Sequence, residues 1–350
     1  MKKTGKLLVF NYAMDPKSQV FSHQIEVVEL LSSFFDEIIV ITGTQAPDVK
    51  IKNVRIVNLG WKAGKSFRNF NQMLKVLRIV NSISGEYRVF FHMTDVFAAF
   101  FSPYFRLRRK RQILWYAHAH QSKYLKWASK WVNNILTSTP GSCPETGKKV
   151  IYLGQGVDHT LFTQIPFEEL KLNNLIHYGR FDKSKNVNHI ISSVDFMRRQ
   201  NSQISLRIVG TPLNNESQLW ARKINSSWGD AVGVGWLTFS PAVNRRDIPR
   251  IMKESGVFIH AFQGSLDKTL IESTLLGVPV ITLNKEYTEI FGSWSPNNSE
   301  ICLAEEYQFM RALKDEDLRL ELNRRRRLAI QEHSIIQWVN KLIHELEVNA

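Results

Sequence analysis

His177-Tyr178-Gly179-Arg180-Phe181-Asp182-Lys183-Ser184-Lys185-Asn186 joins the end of a strand to the start of a helix. Leu175–Tyr178 reads as the strand, and beyond Asn186 the apolar residues Val187, Ile190, Ile191, Val194 and Met197 recur at helical spacing. A strand that runs through a tight loop into a helix is the building unit of a parallel sheet. Towards the C-terminus the alternation continues with strands at Leu206–Val209, Val257–Ala261 and Pro279–Leu283. Towards the N-terminus it is interrupted near Asp158–Leu172, where Pro166 and an acidic-polar stretch break the periodicity.

Before that break a second series runs from the start of the chain. Leu7–Tyr12, Ile38–Thr42, Val54–Leu59, Arg88–His92, Ile113–Ala117 and Asn134–Ser138 read as strands. Helices are expected at Phe21–Leu31, Asn69–Val80 and around Tyr124–Val132. The pattern predicts an α/β protein of two Rossmann-like, doubly wound domains with a cleft between them, residues 1–165 and 166–334. A last helix over Ile335–Leu346 follows an N-cap at Ser334. The run Arg324–Arg327 reads as a solvated helix face.

The 350 residues suffice for two ordinary domains, and 43% apolar with 22% charged residues is a globular composition. No apolar run approaches the roughly 20 residues of a membrane-spanning helix, and no signal peptide is read at the N-terminus. Cys143 and Cys302 have neither metal-ligand nor redox spacing, which fits a reducing compartment, so a cytoplasmic location is expected. The charge is lopsided. Residues 1–165 hold 23 Lys and Arg against 10 Asp and Glu, and the remainder 23 against 22, so nearly all of the formal +14 lies in the first half. That asymmetry points to an anionic surface as partner of one domain.

Three strand ends carry unusual polar residues, and open α/β sheets bind ligands at such ends. In the first, Arg180 and Lys185 flank the loop before a helix, where cations and amide donors can meet a departing diphosphate; the plain alternative is two surface cations. In the second, Gly264-Ser265-Leu266-Asp267-Lys268-Thr269-Leu270-Ile271-Glu272 leads from a strand into a helix. Amides at that helix start can hold phosphate and Glu272 can accept ribose hydroxyls, or Glu272 merely satisfies the helix dipole. In the third, Trp115-Tyr116-Ala117-His118-Ala119-His120 places His118 at a strand end, as a ligand-facing group or as an ordinary hydrogen-bonding one.

Taken in order, these segments resemble the retaining glycosyltransferases of family 4, the glycosyl transferases group 1. The resemblance runs over most of the chain and is strongest from Ile113 to Pro279. Tyr152-Leu153-Gly154-Gln155-Gly156-Val157-Asp158 with Phe162 resembles the family's link between domains. Gly179-Arg180-Phe181 with Lys185 resembles its donor-phosphate motif, Leu206–Gly210 its "(L/I)-x-I-V-G" strand, and Glu272 to Val280 its "E-A-x-A-x-G-x-P-V" segment. Two departures stand out. The family often has a further glutamate eight residues before Glu272, usually in contact with the donor sugar, where this chain has Gly264; Lys268 is a candidate substitute. The family's glycine-rich first loop is replaced by Ala13-Met14-Asp15-Pro16-Lys17-Ser18.

The resemblance implies the GT-B fold, with residues 335–350 crossing back to the first, acceptor-binding domain. It implies transfer from a nucleotide-sugar donor with retention, and no cofactor beyond that co-substrate. Arg180 and Lys185 take the diphosphate charge; Gly179, Gly264, Lys268, Thr269, Leu270 and Glu272 complete the donor site. His118 contacts the donor sugar or the reacting region, and His120 and Ser18 are candidates for acceptor or sugar contact. With no aspartate pair at a strand end, no metal is expected. The acceptor is expected to be a lipid-linked molecule or a cell-surface glycan precursor, reached peripherally at the inner face of the cytoplasmic membrane. Tyr104-Phe105-Arg106-Leu107-Arg108-Arg109-Lys110-Arg111 and Trp61, Lys62, Lys65, Phe67, Arg68 and Phe70 mix aromatics with cations, as an anionic membrane surface requires.

Three rival readings fit parts of the same sequence. A sugar-nucleotide epimerase or phosphorylase of the same architecture stays open. A dinucleotide-dependent dehydrogenase needs G-x-G-x-x-G, and Gly233-Val234-Gly235 lacks the third glycine. A nucleic-acid-binding protein has only the basic run in its favour, without a recognition signature, so no nucleic acid is expected.

Overall fold

The computed structural model describes residues 5–18, 21, 23–60, 70–296 and 302–347, the side chain of residue 70 excepted. The chain forms two compact units, residues 1–154 with 336–350, and residues 155–335. The first holds β1 (Lys6–Met14), β2 (Glu37–Gln45), β3 (Val54–Asn58), β4 (Tyr87–His92), β5 (Gln112–Trp115), β6 (Asn134–Thr137) and β7 (Val150–Tyr152). They pair in parallel in the order β3-β2-β1-β4-β5-β6-β7.

Both faces of this sheet are covered, so its central strands are apolar at nearly every position rather than at alternate ones. On one face Phe10 stacks on Phe91 at 4.9 Å and meets Phe97 and Phe101 of the helix Asp95–Leu107. On the other face Trp338, from the helix Ile335–Glu347, packs edge-on against Trp115 at 4.9 Å and beside Phe90 and His92. Arg88 and Arg111 donate to the Leu346 and Glu345 carbonyls, placing two cations on the unsatisfied C-terminal end of that helix. The C-terminal helix thus belongs to the first unit.

The second unit holds β8 (Asn174–Tyr178), β9 (Ser205–Val209), β10 (Leu237–Ser240), β11 (Val257–His260) and β12 (Val280–Thr282), parallel in the order β10-β9-β8-β11-β12. In each sheet the order reverses once, between β1 and β4 and between β8 and β11. Such switch points leave a crevice at the carboxyl ends of the strands. Residues 155–165, expected with the first domain, are part of the second unit, because Val157, Phe162 and Ile165 are buried in its core.

Several elements differ from the sequence reading. The helix Asp95–Leu107 was not expected, nor were β7 and β10. The arginine run is not a solvated face. Arg325 is buried, pairs with Glu321 and lies over the Trp294 ring at 3.9 Å. Arg324 and Arg326 donate to the carbonyls of Phe291 and Leu275, the last residues of the helices Lys285–Phe291 and Lys268–Leu275. The run holds helix ends in place.

Candidate active site

The switch point of the second sheet gathers most of the residues singled out by sequence. The loop after β8 carries Gly179, Arg180 and Lys185; the loop after β11 carries Gly264 and Asp267 and opens into the helix Lys268–Leu275. The chain leaving β9 runs close to the loop after β8. A Cβ added at Gly210, after β9, would lie 2.4 Å from the Gly179 carbonyl oxygen, so only glycine fits there. Asn284 clamps the second loop, its amide donating to the carbonyls of Phe262, Gly264 and Ser265 at 3.1, 3.0 and 3.3 Å.

Lys185 is buried, and its ammonium is ion-paired with Asp267 and lies 4.2 Å from the centre of the Phe262 ring. Arg180 differs. Its side chain is 49% exposed and faces Asp182 at 3.7 Å, an open pair of small energetic weight. The two cations flank one loop, but only Lys185 is held inside the protein.

Asp267 N-caps the helix Lys268–Leu275. Burial on its own would raise its pKa; the Lys185 charge and the His260 imidazole outweigh it and hold the carboxyl well below the usual range. His260, at the end of β11, faces Asp267 through Nε2 at 3.5 Å and Thr282 through Nδ1 at 3.0 Å. Burial lowers the His260 pKa, and burial together with His260 lowers that of His177 to about 3. Both rings are therefore neutral at pH 7. His177 Nδ1 donates to the Ile259 carbonyl at 2.9 Å, and its buried Nε2 has no hydrogen-bond partner among the described residues. The Thr269 hydroxyl is likewise buried and unpartnered.

Glu272 is buried one turn into the helix, and Arg245 Nε donates to its Oε1 at 2.7 Å. Burial raises the Glu272 pKa, opposed by the charges of Arg245 and Lys268. Tyr178 lies beneath, its hydroxyl donating to the Thr269 carbonyl at 3.1 Å. Leu270 has its side chain fully buried, so only its backbone can serve a ligand. The absent glutamate also has a physical counterpart. A Cβ at Gly264 would fall 2.2 Å from Phe262 Cζ, so the Phe262 ring fills the space a side chain there would need.

His118, His120 and Ser18 lie in the first unit. Both histidines follow β5 and are exposed, His118 set edge-on to Tyr116 at 5.8 Å. The Ser18 hydroxyl accepts from the Phe21 amide at 3.1 Å. At this unit's switch point, Gln24 accepts from the Tyr12 and Ala13 amides and donates to the His92 carbonyl, closing the loop that has no glycines. Asp95 accepts from Ser122 nearby. Sequence reasoning passed over Arg245, Asp267, Phe262, Gln24 and Asp95. Among the described residues, no three or more His, Cys, Asp or Glu assemble into a group fit to hold a metal ion.

Solved structures of the same architecture exist. The chain is similar over 98% of its length to all of Anabaena HepE in complex with UDP, at 13% identity and a TM-score of 0.73. It is similar over 100% of both chains to a glycosyltransferase from Rickettsia africae, at 14% identity and 0.71. Over 99% of both chains it resembles the α,α-trehalose 6-phosphate synthase of Burkholderia multivorans, at 9% identity and 0.71. The likeness is one of fold, the GT-B fold of two parallel α/β units. Residues 161–326, which lie in the second unit, match the family Glycosyl transferases group 1; the match spans a little under half of the chain. No curated protein matches the sequence.

Proposed function

We propose that this protein is a retaining glycosyltransferase of family 4, moving a sugar from a nucleotide-sugar donor to a lipid-linked acceptor or a cell-surface glycan precursor. The observation that carries this reading is Lys185, a buried cation at the switch point of the domain matched as a group 1 glycosyltransferase, beside a helix start and Glu272. Cleavage of the donor puts negative charge on the nucleotide diphosphate, which the buried Lys185 and the more open Arg180 stabilise. Arg245 fixes one oxygen of Glu272, and the other is the acceptor for ribose hydroxyls. His118 is assigned to the donor sugar or the reacting region, and His120 and Ser18 to the acceptor or sugar.

The donor class follows the fold relatives, whose structures hold UDP, UDP with glucose, or UDP-glucose. Thermal-shift titration with several nucleoside diphosphates tests it; no stabilisation by any of them defeats the donor-site reading. Because lysine and arginine supply the positive charge, transfer is expected to continue at an unchanged rate in excess EDTA. Complete loss, restored by magnesium or manganese, contradicts this.

The protein is further proposed to work peripherally at the inner face of the cytoplasmic membrane. No helix among the described residues is long and apolar enough to cross a membrane. Of the basic run, Lys110 pairs with Glu86 and Arg111 with Glu345, which leaves Arg106, Arg108 and Arg109 exposed beside Leu107. Residues 61–69 of the other aromatic-basic stretch, and the side chain of Phe70, lie outside the described residues. A further patch supports the reading. Phe100 and Trp127 are exposed, and Lys123 and Lys130 lie over the rings of Tyr124 and Trp127 at 5.3 Å each. Each such cation contributes about 1 kcal/mol at an anionic surface, and aromatic rings settle at the interface. The protein is expected to sediment with anionic vesicles at low salt, to be released at high salt, and to ignore neutral vesicles. Indifference to both vesicle types at low salt favours a soluble acceptor instead.

A further inference from the structure

The ammonium of Lys185 already has an anion. Its counter-ion, the Asp267 carboxylate, sits at the start of the helix Lys268–Leu275, where one oxygen meets Lys185 and the His260 Nε2–H at 3.5 Å. The other accepts from the Thr269 amide at 3.4 Å. A lysine, an imidazole N–H and a helix-start amide together form the donor set of a phosphate site.

That donor set is built from behind. The Asn284 backbone N–H donates to the Thr282 hydroxyl at 3.1 Å, and Thr282 lies 3.0 Å from His260 Nδ1, which turns Nε2 towards Asp267. The Phe262 ring lies beside the ammonium, and the Phe262–Ser265 backbone is held by Asn284. The Asp267 side chain keeps 18% of its surface exposed, whereas that of Lys185 keeps 6% and that of His260 none. Of the three, the carboxylate is the most exposed.

We propose that the Asp267 carboxylate occupies the anion site that a donor phosphate takes, which makes Asp267 an internal competitor that sets how tightly donor and departing diphosphate are held. This rests on the donor-site reading of Lys185. The exchange is physically economical, because the buried ammonium has a counter-ion throughout. Asp267 neutralises it in the empty site, and phosphate neutralises it once the carboxylate has turned out. Without a resident anion, Lys185 stands in the interior as an uncompensated charge. With one, the free energy of diphosphate binding is reduced by the cost of displacing it, which favours release after transfer.

The test is calorimetric titration of the wild type, Asp267→Asn and Asp267→Ser with UDP and GDP, and with uridine and guanosine as phosphate-free controls. Asparagine and serine both retain an N-cap oxygen for the helix, so the local fold keeps its cap. Both variants are expected to bind whichever diphosphate the wild type binds about tenfold more tightly or better, because a like charge has been removed from the phosphate position. Nucleoside affinity is expected to stay the same. Without ligand the variants melt at lower temperature than the wild type, and the diphosphate raises their melting temperature by more. Unchanged or weaker diphosphate binding by folded variants overturns the proposal and makes Asp267 a residue that orients Lys185. A change equal for diphosphate and nucleoside also overturns it. If no diphosphate binds to the wild type or to either variant, the donor-site reading falls first, and this inference with it.

Discussion

Lys185→Ala is expected to lower transfer by about a hundred- to a thousandfold, the loss that follows removal of a single preorganised charge donor. The effect is expected mainly in kcat, because the charge on the leaving diphosphate grows in the transition state. The substitution also leaves Asp267 buried without its counter-charge, a change that typically costs about 3–5 kcal/mol of stability. Thermal melting must therefore accompany the rate measurement, and the double variant Lys185→Ala/Asp267→Asn separates the two effects. It restores stability without restoring turnover. Arg180→Ala is expected to lower transfer too, but to leave melting almost unchanged, since its pair with Asp182 is open to solvent. Near-wild-type turnover by a folded Lys185→Ala protein removes this cation from the mechanism.

The second large effect concerns Glu272. Its side chain is 7% exposed and receives the Arg245 Nε at 2.7 Å, so Glu272→Ala removes the carboxylate from a guanidinium whose own side chain is 21% exposed. Nucleoside diphosphate affinity is expected to fall by about ten- to a hundredfold, as hydrogen bonds to a charged acceptor are lost. Stability is expected to drop as well. Arg245→Ala provides the control, since it frees the carboxylate without deleting it. If the carboxylate binds ribose directly, Arg245→Ala weakens the nucleotide less than Glu272→Ala does. Calorimetry that finds unchanged affinity in Glu272→Ala leaves this glutamate a helix-start residue and nothing more.

Except for β7 and β10, the strands of both sheets were legible, because most are short apolar runs bounded by polar loops, as buried parallel strands are. The helix Asp95–Leu107 was overlooked between two such strands, although Phe97, Phe101 and Phe105 recur every fourth residue. β10 is only four residues long and buries only Leu237 fully, which gives it a weak signal. Lys185, Gly179 and Glu272 could be picked out because strand-to-helix loops announce themselves locally. Their partners could not. Lys185 and Asp267 lie 82 residues apart and Arg245 and Glu272 27 apart, so only the assembled sheet shows that each charge has a mate. The Arg324–Arg327 run was misread for the same reason, since nothing local to a basic stretch says that helix ends will lie beneath it.

The return of residues 336–350 to the first unit bears on how the molecule is made. A ribosome releases β1 to β7 long before the helix Ile335–Glu347, yet Trp338 is what covers Trp115, Phe90 and His92. The first unit begun is thus the last completed. The second unit, continuous from residue 155 to 335, has all of its own residues before the final helix emerges, and domains generally fold as units during synthesis. Through that interval the part of the sheet around Trp115, Phe90 and His92 waits for its cover, and the nascent chain is open to misassembly there.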